Sequence, residues 1–393
     1  MRIIGRMLQL SVFATAFRIF FLSTALHAVA VITIWLLKLR GHEIAAISTA
    51  PVYWHTYEMV FGFGRAAIFG FLFTAGQHWS GQQLLTRRSL TALFLLWLTG
   101  RFSFFLPYEF SVSGFAIDSA ANVLALYSMW PLMQPQQKHN QPVVWLFIAY
   151  AAAQVVASGA VLAAGLSEIF LPAVKLALLC VVFLVAIIAG RVLPFFASVV
   201  IAGDKPRILP KLEKAIWPLT LVTLGAFSLA PLHDVLTKMA AAACLLAAIL
   251  HAIRWVNWRP QATWRMPILA ILYAGYLFLI IGFALLGLAL LQWVPSSVAW
   301  HMLGLGAAGV FIFGMMTRVA LGHTGRPIKA TVLVNIGYFA LCAALLVRVI
   351  LPLFGYADKA YLFAAIFWIL SFTLYLIKYT PILLHARVDG RPG

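Results

Sequence analysis

Long apolar segments separated by short polar turns run along the whole chain. Each segment is long enough, or nearly so, to cross a hydrocarbon layer of about 30 Å at about 1.5 Å per residue. The twelve segments are 13–37, 52–74, 89–107, 112–131, 142–165, 169–190, 213–230, 232–253, 266–292, 299–320, 328–350 and 358–380. The pattern predicts an all-α membrane protein of about twelve transmembrane helices, forming a single polytopic domain over residues 1–393.

Composition and charge support a lipid bilayer as the main partner. Hydrophobic residues make up 64% of the chain and charged residues 10%, against roughly 25% charged in a soluble domain. The net charge of +18 suggests nucleic acid, but the basic residues lie in short loops between apolar segments. With the N-terminus inside, nineteen Lys/Arg fall in cytoplasmic loops and three in outer loops. This bias predicts cytoplasmic termini and no nucleic-acid partner.

The second segment carries the densest set of polar residues. His55, Glu58, Gly62 and Arg65 follow one another at spacings of three, four and three, which places them on one face of a regular α-helix. Polar side chains in a membrane face protein, cofactor or water rather than lipid. We expect Arg65 to face the interior and to pair with Glu58, Asp118 or a haem propionate. The structural alternative is a Glu58–Arg65 pair with His55 at the interface.

A second Trp-His pair begins the tenth segment. Trp300-His301 lies at the same predicted outer depth as Trp54-His55, and glycines follow it. Both segments run from outside to inside and then reach a Gly, a Thr and a His, so they hint at a weak parallel internal repeat. The alternative is that each His is an interfacial side chain.

Three further histidines, His78, His251 and His323, lie at the predicted cytoplasmic level. Arg101, in the third segment, has a guanidinium suited to a propionate or carboxylate partner. The polar loop around His323 is expected to fold back under the bundle, near His78 or the third segment.

The three cysteines are odd in number and lack CxxC spacing, which argues against disulfides and thiolate metal sites.

Several motifs together resemble the NnrS family, over nearly the whole chain. They are Phe17-Arg18-Ile19-Phe20-Phe21-Leu22, Trp54-His55-Thr56-Tyr57-Glu58-Met59, Gly70-Phe71-Leu72-Phe73-Thr74-Ala75, Trp97-Leu98-Thr99-Gly100-Arg101, Gly190-Arg191-Val192-Leu193-Pro194-Phe195-Phe196 and Met316-Thr317-Arg318-Val319-Ala320-Leu321-Gly322-His323-Thr324-Gly325-Arg326-Pro327. The resemblance implies a multi-pass protein of the bacterial inner membrane that is associated with haem and copper and linked to nitric oxide metabolism. Two residues depart from the family pattern: Tyr57 and Tyr273 stand where histidines are expected. Both changes remove an imidazole, which weakens the case for a copper site or a second haem.

The first functional hypothesis is a b-type haem protein that binds or reduces nitric oxide, an oxidoreductase of the nitric oxide reductase type. The axial metal ligand would be His55 or His301, with Glu58 and Tyr57 as candidate catalytic residues for proton transfer. Other cofactor-binding candidates are Arg65, Arg101, His78, His251 and His323. Electrons would come from a quinol or a redox protein.

Two alternatives stay open. The first is a transporter or channel without a redox centre, which twelve helices and a repeat permit. The prolines of this chain, however, fall mostly at the ends of the apolar segments. Transporter helices are often broken at mid-membrane, so this placement counts against a transporter. The second is a non-catalytic haem scaffold. An absorption spectrum separates a haem protein from a transporter.

Overall fold

The computed structural model describes residues 11–42, 44, 51–103, 105, 108–162, 167–200 and 205–391. Within them it has twelve long helices and no strand. The helices are α1 Ala16–Leu39, α2 Pro51–Ser80, α3 Arg87–Ser103, α4 Tyr108–Met129, α5 Gln141–Leu162, α6 Ser167–Val200, α7 Pro210–Leu229, α8 Asp234–Asn257, α9 Pro267–Leu290, α10 Ser296–Gly322, α11 Val332–Ile350 and α12 Ala357–Leu384.

The predicted all-α membrane class is confirmed. Each predicted segment overlaps one of these helices, and ten of them are long and apolar enough to cross a membrane. The largest error is at α6, which was predicted to end at residue 190 and continues to Val200. Pro194 does not stop it, because its lost N–H removes one helical hydrogen bond while the surrounding apolar residues still favour burial.

The chain divides into two compact units. Unit 1 comprises Met1–Ala177, Met316–Ile328 and Trp368–Gly393. It therefore contains α1 to α5 and the ends of α10 and α12. Unit 2 comprises Leu178–Met315 and Lys329–Phe367, and holds α7, α8, α9 and α11.

A π-helical stretch interrupts α2 in unit 1, at Glu58–Gly64. The wider turn changes which backbone carbonyls are bonded within the helix, and side chains from other helices bond to two of them. Tyr150 donates its hydroxyl to the Val60 carbonyl at 2.9 Å, and Trp97 donates Nε1–H to the Gly62 carbonyl at 3.0 Å. Single π turns inside α-helices are frequent at functional sites.

A second π-helical stretch, Met302–Val310, follows directly after His301 in α10. Its surroundings in unit 2 are tightly packed. A Cβ at Gly275 of α9 would lie 2.9 Å from the Phe311 backbone nitrogen, so glycine permits the two backbones to approach. Met302 also packs in a buried cluster with Leu345 and Val349 of α11.

Candidate functional site: a buried ionic cluster in unit 1

Four ionisable side chains of α2, α3 and α4 meet inside unit 1. Arg101 Nη1 lies 2.6 Å from Glu58 Oε1, and Arg101 Nη2 pairs with Asp118 Oδ2. Arg65 Nη1 lies 2.7 Å from Asp118 Oδ1. All four side chains are almost fully buried, and two carboxylates balance two guanidiniums. We call these four residues the ionic cluster.

A histidine extends the ionic cluster on one side. His27 of α1 places Nε2 at 2.9 Å from Glu58 Oε2. It approaches closely because position 62 is glycine: a Cβ there would collide with the His27 ring. Glu58 is thus shared by a guanidinium, that of Arg101, and an imidazole, that of His27.

A chain of neutral groups extends the cluster on the other side. Tyr57 donates its hydroxyl to Asp118 Oδ2 at 2.8 Å, and Gln154 Nε2 donates to the Tyr57 oxygen at 3.1 Å and to Ser158 Oγ at 2.7 Å. Asn122 Nδ2 donates to Gln154 Oε1 at 3.1 Å. Ion pairs and hydrogen bonds therefore link His27 on α1 to Ser158 on α5 without a break, through the ionic cluster and Tyr57.

The interior orientation predicted for Arg65 is confirmed, and its partner is Asp118, one of the three predicted. The alternative Glu58–Arg65 pair is not formed. That alternative assumed regular α spacing, whereas the π stretch between the two residues shifts their register. Arg101 has the carboxylate partners that its position indicated.

His27 and Gln154 were not among the candidates predicted from the sequence, and Asp118 was predicted only as a possible partner of Arg65. Asp118 had one available signal, since it is the only charged residue in the apolar segment 112–131. His27 and Gln154 carry no local signal, because their importance comes from neighbours 31 and 97 residues away in the chain.

His55 and His301 lie in different units, and each has its own environment. The His55 ring stacks on Trp35 of α1, with ring centroids 4.5 Å apart. His301 Nδ1 lies 2.7 Å from the Ser297 carbonyl oxygen. A carbonyl only accepts, so Nδ1 carries the proton and Nε2 keeps its lone pair, the tautomer that a metal-ligating histidine needs.

The His323 loop folds back onto His78, as predicted. The two rings lie 5.4 Å apart by centroid, and Arg387 donates to the His323 carbonyl at 2.7 Å.

His251 belongs to unit 2, where its Nδ1 lies 2.6 Å from the Tyr276 hydroxyl. Its Nε2 is buried and has no hydrogen-bond partner among the described residues.

The tyrosines that stand in place of expected histidines are both hydrogen-bond donors. Tyr57 donates to Asp118, and Tyr273 donates its hydroxyl to the Trp258 carbonyl at 2.9 Å. No group of three or more His, Cys, Asp or Glu side chains arranged for a metal ion occurs among the described residues.

Acid should loosen the contact between His323 and its neighbours. Burial, together with His78 and Arg387, lowers the pKa of His323 to about 4, whereas an unfolded histidine has a pKa of about 6.5. The stabilising contribution of neutral His323 is therefore complete above about pH 6.5 and is lost as the pH falls towards 4. We expect the Tm of the detergent-solubilised protein to fall across that window, and to fall less in His323→Gln. The same pH dependence in both proteins would contradict this.

A family model described as NnrS protein matches residues 11–387, nearly the whole chain. Among proteins with curated descriptions, none matches this chain in sequence.

Proposed function

Since the chain belongs to the NnrS family, we propose that it is a haem-binding membrane protein that binds or reduces nitric oxide. The observation that carries this proposal is the contact of His27 with Glu58 at 2.9 Å inside the buried ionic cluster. An imidazole and a carboxylate held together in membrane helices can take up and release a proton, and nitric oxide reduction consumes protons.

The chain's imidazoles fit a b-type haem. His301 is the best-prepared ligand, because its hydrogen bond to the Ser297 carbonyl leaves Nε2 as a free lone pair. His55, stacked on Trp35, is the second candidate. A bound haem would supply the iron for nitric oxide binding and electron transfer.

The protein's own residues would handle the protons. Reduction of two nitric oxide molecules to nitrous oxide and water takes up two protons and two electrons. Glu58 would receive a proton from His27, while Arg101 at 2.6 Å holds the carboxylate in place. Tyr57, bonded to Asp118 and Gln154, would orient the neighbouring hydrogen bonds. The electrons would come from a membrane quinol or a redox protein.

Copper is a weaker proposal than haem. The two phenols at positions 57 and 273 both donate to protein acceptors, so neither presents a free ligand atom in this arrangement. We propose a haem site without a dependent copper site, and metal analysis of the haem-loaded protein tests that choice.

Buried charges also occur in transporters, and the ionic cluster gives that alternative its support. The discriminating experiment is an absorption spectrum of the protein purified from bacterial membranes. We expect a Soret band and its shift when nitric oxide is added to the reduced protein. A colourless protein, after expression with ample haem supply, would contradict the proposed function and favour transport.

A further inference from the structure

Arg18 is an unusually placed cation at one end of unit 1. It lies in the first turn of α1 and is fully buried. Its Nη1 donates to the carbonyls of Leu383 and His385, at 2.9 and 2.6 Å, where α12 ends. These carbonyls carry partial negative charge at a helix C-terminus, but they do not neutralise a full cation.

The rest of the Arg18 guanidinium lacks hydrogen-bond partners, although its carbon lies 5.5 Å from the centroid of the Phe17 ring. Its Nε and Nη2 are buried and make no hydrogen bond with any described residue, and no described carboxylate lies within ion-pair distance. A buried cation is normally paired, since an uncompensated one costs several kcal/mol.

Two more arginines add to the positive charge. Arg387 follows by two residues His385, whose carbonyl accepts from Arg18, and it donates to the carbonyl of His323, three residues before Arg326. The positive charges of Arg326 and Arg387 both act on Arg18. The Arg387 guanidinium donates to both carboxylate oxygens of Asp389, at 2.9 and 2.6 Å, and to the His323 carbonyl. Among the acidic side chains that the structure describes in unit 1, Glu58 and Asp118 belong to the ionic cluster, and Glu168 is exposed at the start of α6. Among those side chains, Asp389 is therefore the one carboxylate next to the three arginines.

Segments far apart in the chain come together here. The Phe17 backbone N–H donates to Thr74 Oγ1 at 3.1 Å, and the Phe17 ring lies 5.5 Å from the His323 ring. Gly325 has a φ of 74°, and a Cβ there would lie 2.7 Å from the Asp389 carboxyl carbon. The fold thus brings the start of α1, the loop after α10 and the C-terminal tail into one arrangement.

We propose that Arg18, Arg326 and Arg387 form an anion site that takes a phosphate group, carried by a lipid headgroup or by free inorganic phosphate. Guanidiniums match phosphate oxygens with paired N–H donors. The site lies where α1 begins and α12 ends, which is headgroup depth for helices of this length. By the predicted topology it faces the cytoplasmic leaflet, where anionic lipids attract arginines. Arg326 and Arg387 are partly exposed, so the phosphate enters past them to reach Arg18.

The test measures binding to the full chain in neutral detergent. Inorganic phosphate and phosphatidylglycerol are added separately, and sodium chloride at equal ionic strength serves as the salt control. The Tm is followed as a function of each ligand. Arg326→Gln is the main variant because its partly exposed side chain can be replaced without disturbing the core. Arg18→Gln is the second, and Arg88→Gln, an exposed arginine of unit 1, is the matched control.

We expect at least one ligand to raise the Tm of the wild type, and Arg326→Gln to weaken that ligand about tenfold or more, the loss expected for a charge-assisted hydrogen bond. A response to phosphatidylglycerol alone identifies the headgroup as the source, and a response to phosphate alone identifies the free anion. No response to either ligand, or an equal loss in Arg88→Gln, would overturn the proposal. Haem content does not enter the measurement, so the result is independent of the proposed function.

Discussion

Asp118→Asn should destabilise the protein by about 3–5 kcal/mol, the cost of leaving a buried charge without its partner. Asp118 is the shared anion of Arg65 and Arg101 and also accepts from Tyr57. Its neutralisation leaves two buried guanidiniums with Glu58 as the remaining carboxylate. We expect a large fall in Tm and in the fraction of monodisperse protein after detergent extraction.

The double variant Asp118→Asn/Arg65→Gln is the control for charge balance. It removes one cation with the anion and keeps the pair of Glu58 with Arg101 at 2.6 Å. We expect it to be more stable than Asp118→Asn alone, because the excess buried charge is gone. A Tm of Asp118→Asn close to that of the wild type would show that the cluster is not held by this carboxylate.

Glu58→Gln should slow nitric oxide consumption about a hundredfold or more while leaving haem binding intact. Positioned proton donors and acceptors contribute about 10²–10⁴-fold to a rate, and glutamine cannot carry the proton that His27 delivers. The rate is measured with an artificial reductant and a nitric oxide electrode, and haem per chain is measured on the same sample.

Glu213→Gln is the matched control for the loss of a carboxylate. Glu213 also binds an arginine, Arg254, with contacts of 2.8 and 2.5 Å, but it lies in unit 2. We expect this variant to keep most of its rate per haem. If Glu58→Gln turned over as fast as the wild type, the ionic cluster would be a structural element only.

The helices could be predicted from the sequence because their signal is local. A run of about twenty apolar residues has few stable arrangements other than a membrane helix. The two π stretches could not be predicted, since the donors that bind the freed carbonyls of α2, Trp97 and Tyr150, come from other helices. For the same reason the sequence indicated polar residues along α2 but not their pairing.

The candidate site was partly predictable. Glu58, Arg65 and Arg101 stood out because ionisable residues are rare in apolar segments. His27 looked ordinary, since its partner Glu58 lies on another helix. Arg18 stood in a motif without an evident use, and only the fold brings Arg326 and Arg387 near it.

Haem content after replacement of single histidines tests the proposed haem site most directly. His301→Ala and His55→Ala are purified separately, and haem per chain and the nitric oxide difference spectrum are measured. His385→Ala is the matched control, because its Nδ1 also contacts a backbone carbonyl, Pro381 at 2.7 Å, but in the exposed tail. We predict that His301→Ala or His55→Ala loses most of its haem and that His385→Ala keeps it. Full haem and an unchanged spectrum in both His301→Ala and His55→Ala would contradict the proposed ligands.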